Sequence, residues 1–437
     1  MKGLTMNTSE LRFIENLNIE EYRDFCQQHK YCNILQSDPW PQVKADWTPL
    51  RLALRASQGN IIAACQVLKR ALPLNLNFWY IAHGPLLDYE EEGLLEHFLK
   101  EITELAKKDS AVFIRVHPPL VINSGSIESF REGNPENHYS QELLNQRFKE
   151  VGFQLQERGL AMADTIQPRF QAVIYKEKWD EEANAKLRYN LKQCERYHLS
   201  PELGGKELLD DFVRLIELTE EEKEIKLRDR SYFERILAAF GDDAQILMAN
   251  FDYNGAITEA KELKANLEKE LSELGEKAPK KSHQIKEQIT SMEKDLAFYK
   301  EIEDELKRSG QLPGDDFTGQ TLRDTSIYTH PHRPSAVMVI RYGRWAEMPY
   351  AGSDKLYKRI PAVFQLYVRG IRDAFDQGCE RYNLGGVEGT LDDGLTTFKS
   401  HFDPVLEETA GEYDLALKPI LYAGFKTALK MRKQRSK

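Results

Sequence analysis

The sequence predicts an α/β protein of two units, each with helices packed on a mixed sheet, interrupted by an antiparallel helical hairpin. Three observations carry this. Helical and strand-like hydrophobic periods alternate through both halves. At 437 residues the chain is long enough for two or three domains, each able to bury its own core. In mid-chain, residues 257–308 carry two apolar runs at alternating three- and four-residue spacing: Ala260, Leu263, Leu267, Leu271 and Leu274, then Ile285, Ile289, Met292, Leu296 and Tyr299, closing at Leu306. Gly275 and Pro279 break the helix between the runs, so the limbs fold back on each other. About 20 residues per limb at about 1.5 Å each would project on the order of 30 Å.

In chain order, residues 18–29 read as a helix, and 50–56 and 60–69 as strands paired across Ser57-Gln58-Gly59-Asn60. Residues 91–108 form a clear amphipathic helix, followed by a buried strand from Ala111 to Val116. The second half repeats the style, with a strand at Val173–Tyr175, helices at 180–198, 206–220 and 231–240, and a strand at Gln245–Asp252 leading into the hairpin. Strands at 326–330, 335–342 and 344–350, a helix at 355–378 and a short strand at Arg381–Leu384 follow. No internal sequence repeat aligns.

A formal charge of −10 argues against general coating of nucleic acid, so any polyanion must be met by local patches. Two patches stand out. At the hairpin tip Lys277, Lys280, Lys281 and Lys286 gather with His283, which suits phosphate or plain solubilising charge; the hairpin itself suits dimerisation or rigidity as well as ligand contact. From Lys418 to Lys437 the chain has no acid, and this basic, amphipathic end suits an anionic membrane surface, RNA or a frayed tail. The five cysteines lack short paired spacing and the N-terminus lacks a secretion signal, which predicts a reduced, cytoplasmic protein. No stretch reaches the roughly 18 consecutive apolar residues of a membrane span, so membrane contact would be peripheral.

Several segments are hard to explain as packing. Gln36-Ser37-Asp38-Pro39-Trp40 sets Lys44 just beyond a bulky aromatic, and Tyr80-Ile81-Ala82-His83-Gly84-Pro85 ends a strand in a turn. Leu227-Arg228-Asp229-Arg230-Ser231-Tyr232-Phe233 opens a helix that would place Arg228 and Tyr232 on one face, beside N–H groups able to meet an anion. Tyr382-Asn383-Leu384-Gly385-Gly386-Val387-Glu388-Gly389 precedes Phe398-Lys399. Its glycines match neither a dinucleotide fingerprint nor a P-loop, and the histidines, His330 and His332 included, fall outside metal-ligand spacings. Neither a cofactor nor a metal is expected.

In combination and order these segments resemble the Fem family of non-ribosomal peptidyltransferases (FemA, FemB, FemX, MurM) over essentially the whole chain. The resemblance also draws on Thr165-Ile166-Gln167-Pro168-Arg169 and Lys186-Leu187-Arg188-Tyr189-Asn190. It implies two GNAT-like domains, 1–160 plus 411–437 and 161–256 plus 310–410, with a coiled-coil arm at 257–309. It implies transfer of an amino acid from aminoacyl-tRNA to the amine of the third stem-peptide residue of a peptidoglycan precursor, either lipid II at the inner membrane face or its soluble UDP-linked form. Lys44 and Arg228 would then hold the acceptor diphosphate, with Trp40 beside Lys44 and with Tyr232 and Tyr350 adding hydrogen bonds. Lys399, after Phe398, would stabilise the oxyanion or the leaving ribose oxygen. Lys277, Lys280 and Lys281 at the arm tip are candidates for tRNA contact.

One position departs from the family pattern. In Phe113-Ile114-Arg115-Val116-His117-Pro118 the strand ends in His117 where many members of the resembled family place aspartate. His117 is therefore a candidate proton acceptor with a pKa near neutrality, against the plainer reading that it caps the strand. Two other functions compete with tRNA-dependent transfer. An acyl-CoA-dependent N-acyltransferase would need a glycine-rich pyrophosphate loop that the sequence lacks, and a non-catalytic immunity or scaffold protein would be expected to have lost its lysine and arginine positions. The oligomeric state is left open.

Overall fold

The computed structural model describes residues 11–274, 278–309 and 332–435. The first part runs β1 (Arg12–Glu15), α1 (Ile19–Gln28), α2 (Trp40–Val43), β2 (Trp47–Arg55), β3 (Ile61–Leu72), β4 (Leu76–Ile81), β5 (Leu86–Leu87), α3 (Leu94–Lys108), β6 (Ala111–Val116), β7 (Val121–Gly125), α4 (Ile127–Arg131), β8 (Glu136–Asn137), α5 (Gln141–Glu150) and β9 (Gln154–Leu155). Then come β10 (Phe170–Tyr175), α6 (Ala185–Arg196), β11 (Leu199–Gly204), α7 (Leu209–Lys223), α8 (Arg230–Phe240) and β12 (Ala244–Phe251). The hairpin is α9 (Tyr253–Leu274) and α10 (Pro279–Arg308). After it follow β13 (Ser335–Tyr342), β14 (Trp345–Ser353), α11 (Ala362–Asp376), β15 (Arg381–Val387), α12 (Gly394–Ser400), β16 (Val405–Thr409), β17 (Tyr413–Ala416) and α13 (Pro419–Arg435).

Two sheets organise these elements, in the orders β1-β2-β3-β4-β6-β17-β9, with β5 on β3, and β11-β12-β13-β14-β15-β10-β16-β7-β8. Among the described strands each sheet holds one parallel pair, β4 with β6 and β14 with β15. A parallel pair requires a crossover, supplied here by α3 and α11 respectively. The expected pair of α/β units is thus present. The chain does not divide cleanly along its length: β7 and β8, inside the stretch expected for the first domain, pair into the second sheet through β16. Strand β17 returns to the first sheet against β6.

The expected strand at 326–330 lies outside the described residues. The helix read at 355–378 is a short 3-10 turn, Lys355–Tyr357, and then α11, because Pro361 restarts the helix.

Helices α9 and α10 pack antiparallel, as the ion pairs Lys264–Glu293 and Lys281–Glu270 require. Leu267, Ile285 and Met292 are buried between the limbs, whereas Leu263 is exposed. The base of the hairpin is not free-standing. Tyr253, Phe298, Tyr299, Ile302 and Leu306 join the core of the second sheet, and buried Asp295 receives Arg196 from α6 and Arg359. The first turns of the arm therefore belong to the body.

Candidate active site

The first motif works partly as scaffold. Buried Gln36 donates from Nε2 to the Ala82 and Gln66 carbonyls, at 2.7 and 3.2 Å, and its Oε1 accepts from the Gln66 N–H at 2.7 Å. A Cβ on Gly84 would stand 2.8 Å from the Gln36 side chain, so the Gln36 and His83-Gly84-Pro85 motifs are two halves of one contact. Asp38 accepts from the Tyr342 hydroxyl of β13 at 2.9 Å and pairs with Arg23, tying the first sheet's helices to the second sheet.

Helix α2 ends at Lys44, which the short helix aims across the junction at α8. Lys44 Nζ lies 5.1 Å from the Trp40 ring centre, 5.2 Å from that of Tyr232, and 3.5 Å from the Tyr232 hydroxyl. The guanidinium groups of Arg228 and Arg235 approach the same Tyr232 ring at 5.1 and 5.8 Å. Tyr350 of β14 packs edge-on against Tyr232 and Phe233. Burial, followed by Arg228 and Arg235, lowers the Lys44 pKa to about 8. Three cations thus crowd one aromatic ring, an arrangement that favours a multiply charged anion.

The structure brings Lys44, Trp40, Arg228, Tyr232 and Tyr350 together, with one change of reason. Arg228 is not helical: Asp229 is the N-cap, accepting from the Tyr232 N–H at 2.9 Å, so Arg228 reaches Tyr232 from the residue before the cap. Sequence reasoning missed Arg235. Its spacing from Tyr232, one helical turn, was the available signal.

A second group lies along β14 and β15. Lys399 is 4% exposed, sits in the last turn of α12, and donates from Nζ to the Gly386 carbonyl at 2.7 Å. Although it follows the Gly385-Gly386 turn in sequence, Lys399 is not a flexible cation at a turn: its helix and that carbonyl fix it. Burial lowers its pKa to about 7. Gly385 passes beside Lys399 Nζ at φ +87°, a conformation that glycine adopts freely and other residues rarely do. Phe398 packs among Phe364, Tyr367 and Phe402 and thereby seats α12.

On the same face, Asn383 accepts from the Gly385 N–H at 2.8 Å and donates to Glu347 of β14 at 2.9 Å and to Gln171 at 2.7 Å. Glu347 keeps an open edge, but burial of its carboxyl raises the pKa to about 7. Asn383 touches Glu347 and holds the N–H of Gly385, and Gly385 lies beside Lys399 Nζ, so Glu347 and Lys399 flank this stretch of β15. Glu347 was not singled out from sequence, although an acid between the buried strand residues Ala346 and Met348 is itself a signal.

His117 does not meet its expectation of a near-neutral pKa. It is 1% exposed, and burial, with His83 and then Arg158 and Arg115, pushes its pKa well down. Its ring lies 4.6 Å from that of His83, which lines a small polar cavity with Trp345, Arg381 and Glu407. At the arm tip Lys280 and Lys281 are exposed, Lys281 pairing with Glu270 at 2.8 Å, and Lys277 lies outside the described residues. Among the described residues no cluster of histidine, cysteine and acid side chains could hold a metal.

The FemAB family profile matches residues 17–314 and 328–430. The chain belongs to the FemAB family. It is 25% identical over 429 residues, 94% of each chain, to a lipid II:glycine glycyltransferase of Staphylococcus haemolyticus (strain JCSC1435). A protein of the same name from Staphylococcus aureus (strain USA300) is 24% identical over 421 residues, 92% of each chain. The crystal structure of FemX superposes with a TM-score of 0.68 at 22% identity, covering 94% of this chain and 99% of that one, and so shares the fold.

Proposed function

We propose that this chain transfers an amino acid from aminoacyl-tRNA to an amine of the stem peptide of a peptidoglycan precursor, at its third residue, and so builds the interpeptide bridge. The chain is a transferase of its family, and relatives named for glycyl transfer to lipid II match it over nearly their whole length. They make glycine and lipid II the first donor and acceptor to test. The observation that carries the reading is the cluster of Lys44, Arg228 and Arg235 on Tyr232, which suits a diphosphate rather than a single carboxylate. No described helix is long and apolar enough to cross a membrane, so contact with a lipid-linked acceptor would be peripheral.

In this reading the diphosphate sits on the three cations with Tyr232 and Tyr350 beside it, and the acceptor amine lies at the patch between Glu347 and Lys399. Glu347 takes the proton as the amine nitrogen bonds to the ester carbonyl carbon. Lys399, as ammonium, stabilises the oxyanion and then the ribose oxygen as the carbon–oxygen bond breaks. The amide forms with no enzyme-bound intermediate. Buried Cys194 and Cys379, their thiols held high by burial, take no part. At the arm tip, an exposed pair such as Lys281–Glu270 contributes little and can exchange for tRNA phosphate.

The test is to incubate purified protein with lipid II or its UDP-linked form and a mixture of charged tRNAs, and to weigh the product. A mass increase of one amino acid, abolished by ribonuclease, is expected. Transfer that survives ribonuclease but requires acyl-CoA would overturn the reading.

A further inference from the structure

We propose that helix α13 docks this protein on an anionic bilayer, seating the exposed apolar face of Ile420, Leu421 and Met431 among the lipid headgroups. This deepens the proposed function and rests on the acceptor being lipid-linked. Ile420 is 89% exposed, Met431 56% and Leu421 44%. At about 100° per residue, positions 420 and 431 fall within about 20° of each other and 421 about 100° away. Gly424 and Ala428 occupy the arc between them, Thr427 borders it, and all three are exposed as well.

The opposite face is already used. Phe425 lies 5.0 Å from the ring of Phe113 and 5.5 Å from that of Phe78, and the Tyr422 hydroxyl bonds to Asp414. A helix that packs one aromatic face on the body and turns a second apolar face to water has a use for that second face.

Charge selects the occupant. Residues 418–437 hold seven lysines and arginines and no acid, in a chain whose formal charge is −10. A basic helix with an apolar face is the composition of a helix that lies in the plane of an anionic bilayer surface. RNA would be met by the cations alone and would leave Ile420 and Met431 without a role.

Position agrees with the acceptor site. Phe78, which touches Phe425, also lies 5.3 Å from Trp47, whose N–H donates to the Lys44 carbonyl at 2.8 Å. Helix α13 and the Lys44 end of the anion cluster therefore flank the same face of the first sheet. A protein resting on α13 would hold that cluster near the headgroup layer, where the diphosphate of a lipid-linked acceptor lies.

The test uses the full chain and its Ile420→Glu/Met431→Glu double variant. Both side chains are exposed, so the melting temperature should not change. In sedimentation with phosphatidylglycerol-containing vesicles the unaltered protein should co-pellet, and the variant should bind at least tenfold more weakly; vesicles of phosphatidylcholine alone should bind neither well. Turnover on the soluble UDP-linked acceptor should be the same for both, while turnover on lipid-linked acceptor in vesicles should fall in the variant. Failure of transfer to either acceptor would count against the enzymatic reading and leave the vesicle result to judge the helix. Three outcomes would overturn the proposal: no vesicle binding by the unaltered protein, loss of tRNA binding in the variant, or a dimer that the substitutions disperse.

Discussion

Replacing Lys399 with methionine should abolish turnover and stabilise the protein, and the stabilisation should depend on pH. The folded-state pKa of Lys399 is about 7, against 10.5 for a lysine free in water, and burial is the cause. At about 1.36 kcal/mol per unit, holding this lysine in the fold costs about 5 kcal/mol at pH 6, where it is charged in both states. Because the unfolded chain binds the extra proton between the two values, the penalty is complete below pH 7 and fades as pH rises. With one unit left between pH 9.5 and the unfolded value, about 1.4 kcal/mol remains there. Methionine removes the penalty but also the hydrogen bond to the Gly386 carbonyl, which for a charged donor contributes about 1.5–3 kcal/mol. The net gain should be about 2–3 kcal/mol at pH 6, several degrees in melting temperature, and near zero at pH 9.5, where the folded-state amine is neutral and its bond contributes only about 0.5–1.5 kcal/mol. Urea titrations at the two pH values measure it. A variant less stable than the parent at pH 6 would refute the account of Lys399 as a buried cation retained for function at the expense of stability.

The dependence of kcat/KM on pH should be bell-shaped with its maximum near 7, since Glu347 must be deprotonated and Lys399 protonated and both have pKa values of about 7; Glu347→Gln should lower the rate and flatten the acid limb, measured by turnover across pH 5.5–9. Arg235→Met should weaken acceptor binding by about 1.5–3 kcal/mol in calorimetry, as should Lys44→Met, with the fold intact. In the parent, acceptor affinity should fall as pH rises through about 8, where free Lys44 loses its proton; affinity unchanged between pH 7 and 9 would take Lys44 out of the anion site. Replacing residues 268–289 with a short Gly-Ser link should leave the melting temperature nearly unchanged, whereas Ile302→Ala at the arm base should cost about 2–5 kcal/mol by thermal denaturation.

Periodic segments were legible from sequence, because one buried face leaves a repeating trace. Residues 18–29, 91–108 and 231–240 became α1, α3 and α8 within a few residues. Short pieces left no such trace: β7 and β9 are five and two residues long and owe their existence to partners far along the chain. The arm shows the limit from the other side. Its repeat predicted two paired helices, but nothing in the repeat distinguishes a residue that meets the other limb, such as Ile285, from one that meets the body, such as Ile302. In the site, Lys44 and Arg228 stood out because aromatic residues flank them, and Glu347 did not because its partner Asn383 is on a strand reached only through a crossover.

The two candidate subsites share a physical signature that ordinary packing does not produce. Lys44 is held at about 8 by burial and by two arginines, and Lys399 at about 7 by burial, so each is a cation destabilised where it stands. Asp229, beside the first cluster, is occupied by the Tyr232 N–H and the Ser231 hydroxyl. Asp393 caps α12 through the N–H groups of Leu395 and Thr396, which leaves Lys399 only a distant Coulombic benefit. A protein selected for stability alone would pair or remove such cations. Strand β14 joins them, carrying Tyr350 against the first and Glu347 toward the second, three residues apart across an irregularity in its pairing with β13. Two sets of poorly compensated positive charge flanking one strand, with a near-neutral carboxyl beside the second, is the arrangement required to grip a polyanionic acceptor at one end and to move a proton at the other.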